Sequence, residues 1–232
     1  MIQTRKRDDI FFIDGGWFQG YWHFSFDRYH DPQNTNFGAL RVFNVDTLVP
    51  GGVWPMHPHR DIEVITYCVD GQFKHADNLG NGGILMPGDV QHTTVGRGLS
   101  HSEINNSETE PMTFIQIWIL PNDRGLEPSL EQRRIRAEER IDRLLPIVSS
   151  RHPDALPIRQ EAEVYAATIQ SGVKLAHGFP AGWGGYLHLV SGELNLSGHR
   201  LSPGDAAKIT EEPEIELEAL EESHLLMVSV VV

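Results

Sequence analysis

Short runs in which apolar and polar residues alternate recur along the whole chain. They are rich in β-branched and aromatic residues, as in "ALRVFNVDTLV", "EVITYCV", "MTFIQIWIL", "GGYLHLV" and "HLLMVSVVV". Turn-forming clusters such as "VDGQ", "MPGD", "VSGE" and "LSPGD" separate these runs. Alternation with a period of two is typical of strands with one face buried, and closely spaced turns are typical of sandwiches and closed barrels. The pattern therefore predicts an all-β protein rather than a βαβ fold.

One segment, residues 126–145, departs from this pattern. Its sequence, "LEPSLEQRRIRAEERIDRLL", is dense in glutamate, arginine and leucine, which are good helix formers. Ser129 could cap the first turn, with Gln132 as its capping-box partner. We expect a short helical linker here, which divides the chain into a first barrel at residues 1–125 and a second barrel at residues 146–232.

The two halves resemble each other in their turns. "LMPGDVQHTTV" in the first half matches "LSPGDAAKITE" in the second, and "YCVDGQFKH" matches "HLVSGELNL". Each pair is a turn followed by a strand, and both pairs occur in the same order. This order favours an internal duplication over chance similarity.

Charge and cysteine content exclude several classes of protein. The chain has 232 residues, 19 basic and 32 acidic, for a net charge of -13. Direct binding to nucleic acid is not expected, because such binding needs clustered lysine and arginine. The single cysteine, Cys68, lies in an apolar run and predicts a buried packing residue in a reducing compartment. No apolar run approaches the ~20 residues that span a bilayer, so we expect a cytoplasmic protein.

Four side chains form a candidate metal site. His57 and His59 are two residues apart, as are His101 and Glu103. In a strand such pairs share one face, roughly 7 Å apart, and two neighbouring strands would place all four side chains on one surface. Three imidazoles and one carboxylate suit Fe(II), Mn, Ni, Cu or Zn, and the ligand types alone do not distinguish these ions.

A family resemblance extends from about residue 10 to residue 135. "HFSFDRYHDP", "GALRVFNVD", "HPHRDIEVITYCVDG", "MPGDVQHTTVGRGLSHSE" and "QIWILPNDRGLEPSLEQ" together resemble the pirin family of the cupin superfamily. This resemblance implies a bicupin, in which two antiparallel jelly-roll-like barrels face each other. It also implies metal in the first barrel only, held by His57, His59, His101 and Glu103. The second half has only isolated histidines: His177, His188, His199 and His224.

Glu63 and His92 lie close to these motifs but are not among the four candidate ligands. Glu63 follows His59 by four residues, and simple alternation would make it a metal ligand. However, the distance from His59 to Gly71 is one residue longer than the cupin pattern, which predicts a bulge that turns Glu63 outward, with Arg60 as its candidate partner. His92 stands where the pirin family often has a large aromatic residue. A surface position is our expectation for it, with the barrel interior as the alternative.

The resemblance also implies a function. Members of this family cleave quercetin, a flavonol, with O2 and release carbon monoxide. One divalent metal ion is expected as cofactor, with Fe(II) the first choice and Mn, Ni, Cu, Co or Zn as alternatives. Glu103 is the candidate general base. Gln116 is expected to support the metal site, although its amide could instead be satisfied by the backbone.

Two other readings of the chain remain open. It could be a metal-binding regulator that acts through protein partners without physiological turnover, as some pirins do. It could also be a storage or structural cupin in which the metal serves stability only. In either case, as in the dioxygenase reading, we expect a monomer, because bicupins of two facing barrels are often monomeric.

Overall fold

The computed structural model describes residues 1–232, and strands account for most of them. Two 3-10 turns, Arg7–Asp9 and Ala137–Arg140, are the only helical elements. Neither turn could cross a membrane as a helix. The first half contains strands β1 (Ile2–Arg5), β2 (Phe11–Asp14), β3 (Phe18–Trp22), β4 (Leu40–Leu48), β5 (Val53–His59), β6 (Glu63–Asp70), β7 (Phe73–Asp77), β8 (Gly82–Leu85), β9 (Val90–Thr94), β10 (Leu99–Asn105), β11 (Met112–Ile119) and β12 (Ser129–Arg133).

The second half repeats this organisation with fewer strands. They are β13 (Leu145–Ser149), β14 (Ala162–Ile169), β15 (Lys174–Gly178), β16 (Trp183–Ser191), β17 (Leu194–Leu196), β18 (His199–Leu201), β19 (Ala206–Ile209), β20 (Glu214–Ala219) and β21 (Ser223–Val231). Each half has one large sheet and one four-stranded sheet. The orders are β12-β9-β6-β11-β4-β3-β2 with β5-β10-β7-β8, and β1-β19-β16-β21-β14-β13 with β15-β20-β17-β18. Every pairing between these strands is antiparallel.

The two large sheets share one hydrophobic core. Phe43, Ile65 and Ile117 from the first half belong to the same buried cluster as Val164 and Val228 from the second. Alternation then directs the intervening residues of β4, β6 and β11 to the other side of their sheet, into the first barrel. The predicted all-β bicupin fold, with two facing antiparallel barrels, is confirmed.

The interiors of the two barrels differ in chemistry. Leu187, Leu189, Ile209 and Leu217 pack together inside the second barrel, in a cluster with other apolar side chains. In the first barrel, the inward positions of β4 and β11 include polar side chains such as Asn44, Asp46 and Gln116. These polar side chains line a cavity inside the first barrel.

The Pro-Gly-Asp turns of the two halves have the same geometry. Gly88 and Gly204 have φ values of 92° and 89°, in a region that residues other than glycine rarely adopt. The following aspartates, Asp89 and Asp205, each accept a 3.0 Å hydrogen bond from the backbone N–H three residues earlier. The same local sequence thus folds the same way twice, as an internal duplication predicts.

The predicted helix at residues 126–145 is wrong. Ser129 begins strand β12 instead of capping a helix, and β12 pairs with β9 through partners such as Gln132 and Gln91. This pairing satisfies the edge of the large sheet, and it outweighs the helix propensity of the glutamates and arginines. Only the four residues Ala137–Arg140 form a turn of 3-10 helix, and Glu139 Oε1 accepts a 2.9 Å hydrogen bond from the Arg136 backbone N–H at its start.

We retain the division at residues 1–125 and 146–232 as a proposal, with two exchanges across it. Strand β1 belongs to the first segment but pairs with β19 of the second half. Strand β12 lies in the predicted linker but is the outermost strand of the first half's large sheet. The first part of the predicted linker therefore belongs to the first barrel, whereas its end, at Ile141 and Leu145, pairs with β14 of the second half.

Candidate metal centre and cavity

Three histidines meet on the inner face of the small sheet of the first barrel. His57 and His59 share a face of β5, and His101 lies directly opposite His57 on the neighbouring strand β10. The ring centroids are 4.7 Å apart for His57 and His59, 4.6 Å for His57 and His101, and 5.0 Å for His59 and His101. One nitrogen from each ring lies within 4.8 Å of the other two. Such a cluster can hold one metal ion.

The hydrogen bonds of these rings leave nitrogens free for a metal. His57 Nδ1 lies 2.7 Å from the Pro55 carbonyl oxygen, which can only accept, so Nδ1 carries the proton and Nε2 keeps its lone pair. The Nε2 atoms of His59 and His101 are buried and have no hydrogen-bond partner. Buried polar atoms normally have partners, so these two nitrogens fit a site that is completed by a metal ion.

Burial keeps two of the imidazoles neutral. Burial, reinforced by the neighbouring His57, lowers the pKa of His59 to about 4. The same causes, with burial the largest, lower the pKa of His101 to about 2. Because only the neutral imidazole can bind a metal, both rings are ready to coordinate at neutral pH.

Glu103 lies beside the histidines rather than within their cluster. The pairing of β10 with β5 shifts register between His101 and Glu103, so Glu103 lies opposite Trp54. Its side chain lines the same cavity as His57 and His59. Burial, with a smaller contribution from Asp46, raises the pKa of Glu103 to about 8. A cation nearby would favour the ionised form.

Gln116 reaches the same carboxylate from strand β11. Its amide Nε2 donates to Glu103 Oε1, and Trp118 Nε1 donates to Gln116 Oε1 over 3.1 Å. The indole donor fixes which end of the amide faces Glu103, because the oxygen must accept and the nitrogen must donate. Gln116 thus bonds to side chains of the cavity, not to the backbone.

Aromatic side chains enclose the space in front of the histidines. The cavity has a volume of about 710 Å³. Trp118 meets the His59 ring at 4.7 Å, and Phe26 meets Trp118 edge to face at 5.2 Å. The aromatic walls are completed by Trp17, Phe18, Trp22 and Trp54, and Asp27 and Arg28 stand at the mouth. A flat apolar ligand could lie between these rings with a polar edge toward the histidines.

Sequence reasoning missed Asp46 as a cavity residue. Its side chain is buried, and burial raises its pKa to about 7 despite a 3.2 Å hydrogen bond from Trp22 Nε1. The signal was present in "RVFNVD", where Asn44 and Asp46 alternate with the apolar residues Phe43 and Val45. Polar residues on the inward face of a buried strand indicate a polar cavity.

His75 is the second missed residue. It lies behind the histidine cluster on β7, with its ring 5.4 Å from that of His101. Its Nδ1 contacts the Gln91 amide nitrogen at 3.2 Å, and its Nε2 contacts Asp77 Oδ2 at 3.4 Å. The alternation of Phe73, His75 and Asp77 in "FKHAD" was its sequence signal.

Glu63 faces away from the histidines, but not for the predicted reason. The bulge in β6 lies near its far end, between Cys68 and Asp70, and therefore cannot reorient Glu63. A turn at residues 60–62, with Asp61 at φ 52°, separates β5 from β6 and sets the direction of Glu63. The expected partner is also wrong, because Arg60 lies beside Asp61, and Glu63 is fully buried.

The actual partner of Glu63 is His92, which is buried rather than on the surface. Glu63 Oε2 lies 2.8 Å from His92 Nε2 and accepts hydrogen bonds from Thr94 Oγ1 at 3.0 Å and the Arg159 backbone N–H at 3.2 Å. Since Arg159 belongs to the second half, this cluster links the two barrels. The expectation of a surface position for His92 is wrong because the outer face of this sheet is covered by the second half.

Replacing His92 with alanine is expected to destabilise the protein without loss of metal. The change removes a hydrogen bond from a buried carboxylate, which costs roughly 2–3 kcal/mol. In a chain of this size, the melting temperature should fall by roughly 5–10 °C in differential scanning calorimetry. Alanine at the exposed His199 is the control. An unchanged melting temperature for His92→Ala would contradict the assigned contact.

Comparison with known proteins identifies the family. A family model described as Pirin matches residues 3–119, and one described as Quercetinase C-terminal cupin domain matches residues 147–230. A pirin-like protein of Caulobacter vibrioides is 40% identical over 230 residues, covering 98% of this chain and 99% of that protein. The chain belongs to the pirin family. The resemblance inferred from the sequence motifs is thereby confirmed.

Other pirins extend the comparison to function and structure. A protein of Escherichia coli named quercetin 2,3-dioxygenase is 32% identical over 227 residues, which is 98% of this chain and 97% of that protein. The crystal structure of YhhW from E. coli matches with a TM-score of 0.95 at 32% identity, over 99% of this chain and 97% of YhhW. A second structure, of YhhW in complex with nickel(II), matches with a TM-score of 0.94 at 31% identity, over 100% and 99% of the two chains.

Proposed function

We propose that this pirin is a metal-dependent dioxygenase that cleaves quercetin or a related flavonol with O2. We also propose that His57, His59, His101 and Glu103 hold its metal ion. The observation that carries this proposal is the cluster of three histidine nitrogens within 4.8 Å at one side of an aromatic cavity. A related E. coli protein bears the name quercetin 2,3-dioxygenase.

The donor set supports a divalent transition metal. Three neutral imidazoles and one carboxylate bind Fe(II), Mn, Ni, Cu, Co or Zn, and we propose Fe(II) as the resident ion. The nickel(II) complex of E. coli YhhW supports the capacity of this family to bind such an ion. When bound, the ion would act as a Lewis acid that lowers the pKa of a coordinated flavonol hydroxyl.

Glu103 is our candidate for the group that takes the substrate proton. Burial raises the pKa of Glu103 to about 8 in the metal-free site, and a bound cation would favour the ionised carboxylate, which is the form that can accept a proton. The Gln116 amide holds the Glu103 carboxylate in place through its own bond from Trp118. Glu103 is thus positioned before the substrate arrives, and its orientation depends on strand β11 rather than on a loop.

The aromatic walls suit the shape of a flavonol. Trp118 and Phe26 provide flat apolar surfaces near the histidines, and Trp17 packs edge to face on Trp54 at 4.7 Å. Planar rings gain about 0.5–1.5 kcal/mol from such aromatic contacts beyond the burial of their area. The polar residues Asn44 and Asp46 lie among the cavity walls, where they can accept or donate hydrogen bonds to substrate hydroxyls.

Turnover of quercetin by metal-loaded protein is the direct test. Protein reconstituted separately with Fe(II), Mn, Ni, Cu or Co would be mixed with quercetin in air, and absorbance of the flavonol band followed. We expect loss of that band, equimolar O2 uptake and release of carbon monoxide with at least one metal, and no loss under nitrogen. If no metal supports loss of the band, the dioxygenase proposal fails for quercetin, and the regulatory alternative gains support.

We further propose that the protein acts in the cytoplasm as a monomer that does not contact nucleic acid directly. The net charge of -13 supports the last point. A protein partner would belong to the regulatory alternative. Sedimentation equilibrium tests the oligomeric state, and a mass near 52 kDa rather than near the 26.1 kDa of one chain would contradict the monomer.

A further inference from the structure

A second groove lies at the seam between the two barrels and shares no residue with the histidine cavity. Tyr67 and Gly88 line it from the first half, Thr168 and His224 from the second, and Arg140 from the connecting segment. Its volume is about 620 Å³, which is within the range of small-molecule sites. Neither the metal site nor the proposed oxidation of a flavonol uses any of these residues.

Four side chains form a connected hydrogen-bond chain along this groove. The Tyr67 hydroxyl lies 3.0 Å from His224 Nε2, and His224 Nδ1 lies 3.2 Å from Thr168 Oγ1. Arg140 Nε donates to the same Thr168 oxygen over 3.3 Å. The chain crosses from β6 of the first barrel to β21 and β14 of the second, and ends on the 3-10 turn.

This hydrogen-bond chain contains one more hydroxyl donor than it has acceptors to receive. Burial and the nearby Arg140 lower the pKa of His224 to about 4, so its ring is neutral and has one N–H and one lone pair. If Tyr67 donates to Nε2, then Nδ1–H donates to Thr168, whose own hydroxyl proton remains free. In the other tautomer Thr168 donates to Nδ1, Nε2–H donates to Tyr67, and the Tyr67 proton remains free. Either tautomer therefore presents one spare hydroxyl donor.

The guanidinium of Arg140 adds further donors. Its Nη1 atom is buried without any hydrogen-bond partner. The nearest acidic residue in sequence, Glu139, instead pairs with Arg133 and Arg136. Glu222 lines the groove from an exposed position and forms no ion pair with Arg140. The chain has 32 acidic residues, yet none of them forms an ion pair with Arg140.

The guanidinium of Arg140 packs directly against the turn at Gly88. A Cβ atom at Gly88 would come within 2.2 Å of Arg140 Nη1 in its present position. The walls on either side of this polar end are apolar, with Val69, Val190 and Ile141 among them. The groove thus combines a cluster of hydrogen-bond donors with a surface for a nonpolar group.

We propose that this groove binds a small carboxylic acid that has an apolar body. The carboxylate would accept hydrogen bonds from Arg140 and from the spare hydroxyl of Tyr67 or Thr168, and the apolar part would pack on Val69, Val190 and Ile141. Charge-assisted bonds from a guanidinium to a carboxylate are among the strongest hydrogen bonds in proteins. Since both barrels and the connecting segment contribute to the groove, its ligand would bridge all three.

Titration of the metal-loaded protein with benzoate at pH 7 tests this site. The probe combines a carboxylate with a flat apolar ring, and amide NMR shifts report where it binds. We expect shifts at Gly88, Thr168 and Ser191, which distinguish the groove from the histidine cavity. Arg140→Gln should weaken this binding about tenfold or more, as loss of a charge-assisted hydrogen bond implies. Thr168→Val should weaken it as well, and it serves if Arg140→Gln does not fold.

Three comparisons make the outcome decisive. Arg124→Gln removes the same charge from an exposed loop and should leave benzoate binding unchanged. Benzyl alcohol, which lacks the carboxylate, should not shift these amides, whereas inorganic phosphate should bind more weakly than benzoate because it lacks the apolar body. The proposal is overturned if benzoate does not shift the groove amides, if Arg140→Gln binds as the wild type does, or if phosphate binds and benzoate does not.

Discussion

Replacing His101 with alanine is expected to remove most of the bound metal. His101 is the only histidine that β10 contributes to the cluster, and its ring contacts both His57 and His59 within 5.0 Å. Without it, two imidazoles on one strand and a separate carboxylate would remain. Loss of a residue that merely supports a ligand typically weakens metal binding 10–100-fold, so loss of a ligand should weaken it by about 100-fold or more. Elemental analysis after extensive dialysis measures the metal bound per chain.

The fold should survive this substitution, which makes the metal content interpretable. His101 Nε2 has no hydrogen-bond partner, so its removal leaves no other polar group unsatisfied. Alanine at His30, an exposed histidine, is the matched control and should retain the wild-type metal content. Circular dichroism checks that both variants are folded. Wild-type metal content in a folded His101→Ala variant would refute the assignment of this residue as a ligand.

Replacing Glu103 with glutamine is expected to lower kcat far more than it lowers the amount of bound metal. Glutamine keeps the shape of the side chain, and its carbonyl oxygen can still accept the hydrogen bond from Gln116. However, an amide cannot take a proton from the substrate, so kcat should fall by about 10²–10⁴-fold, the usual contribution of a general base. The measurement is the initial rate of flavonol loss at saturating substrate, normalised to the bound metal.

The normalisation separates the two roles proposed for Glu103. A variant that loses metal in proportion to activity would identify Glu103 as a ligand only, and would contradict its role as general base. Glu108→Gln removes a carboxylate from an exposed turn and should leave both quantities unchanged. Near-wild-type kcat in a metal-loaded Glu103→Gln variant would contradict the catalytic role directly.

The period-two pattern predicted the features that depend on local geometry. Alternation placed His57 and His59 on one face, and the glycine turns predicted antiparallel strands, both of which the structure contains. The pairing of β5 with β10 was assumed rather than derived, and it depends on contacts between segments about forty residues apart. Because alternation sets only the face of a side chain, it did not predict the register shift between His101 and Glu103, which places Glu103 opposite Trp54.

Predictions that depended on tertiary context were wrong or incomplete. The helix predicted for residues 126–145 followed intrinsic propensity, but pairing with the exposed edge of β9 decides the structure there. His92 was expected at the surface because the sequence does not show that the second half covers this sheet. The aromatic walls of the cavity come from several strands and loops, so no single motif could reveal them.

The exchange of strand β1 has a consequence for folding during synthesis. Residues 2–5 leave the ribosome before the rest of the first barrel, yet their partner strand at residues 206–209 appears roughly two hundred residues later. Until then this strand has unpaired backbone groups, and the entropic cost of closing so long a loop must be met by the second barrel. The first barrel, with its histidine cluster, can be assembled from residues 11–133 beforehand. We therefore expect the second barrel to be the last part of the nascent chain to become resistant to proteolysis.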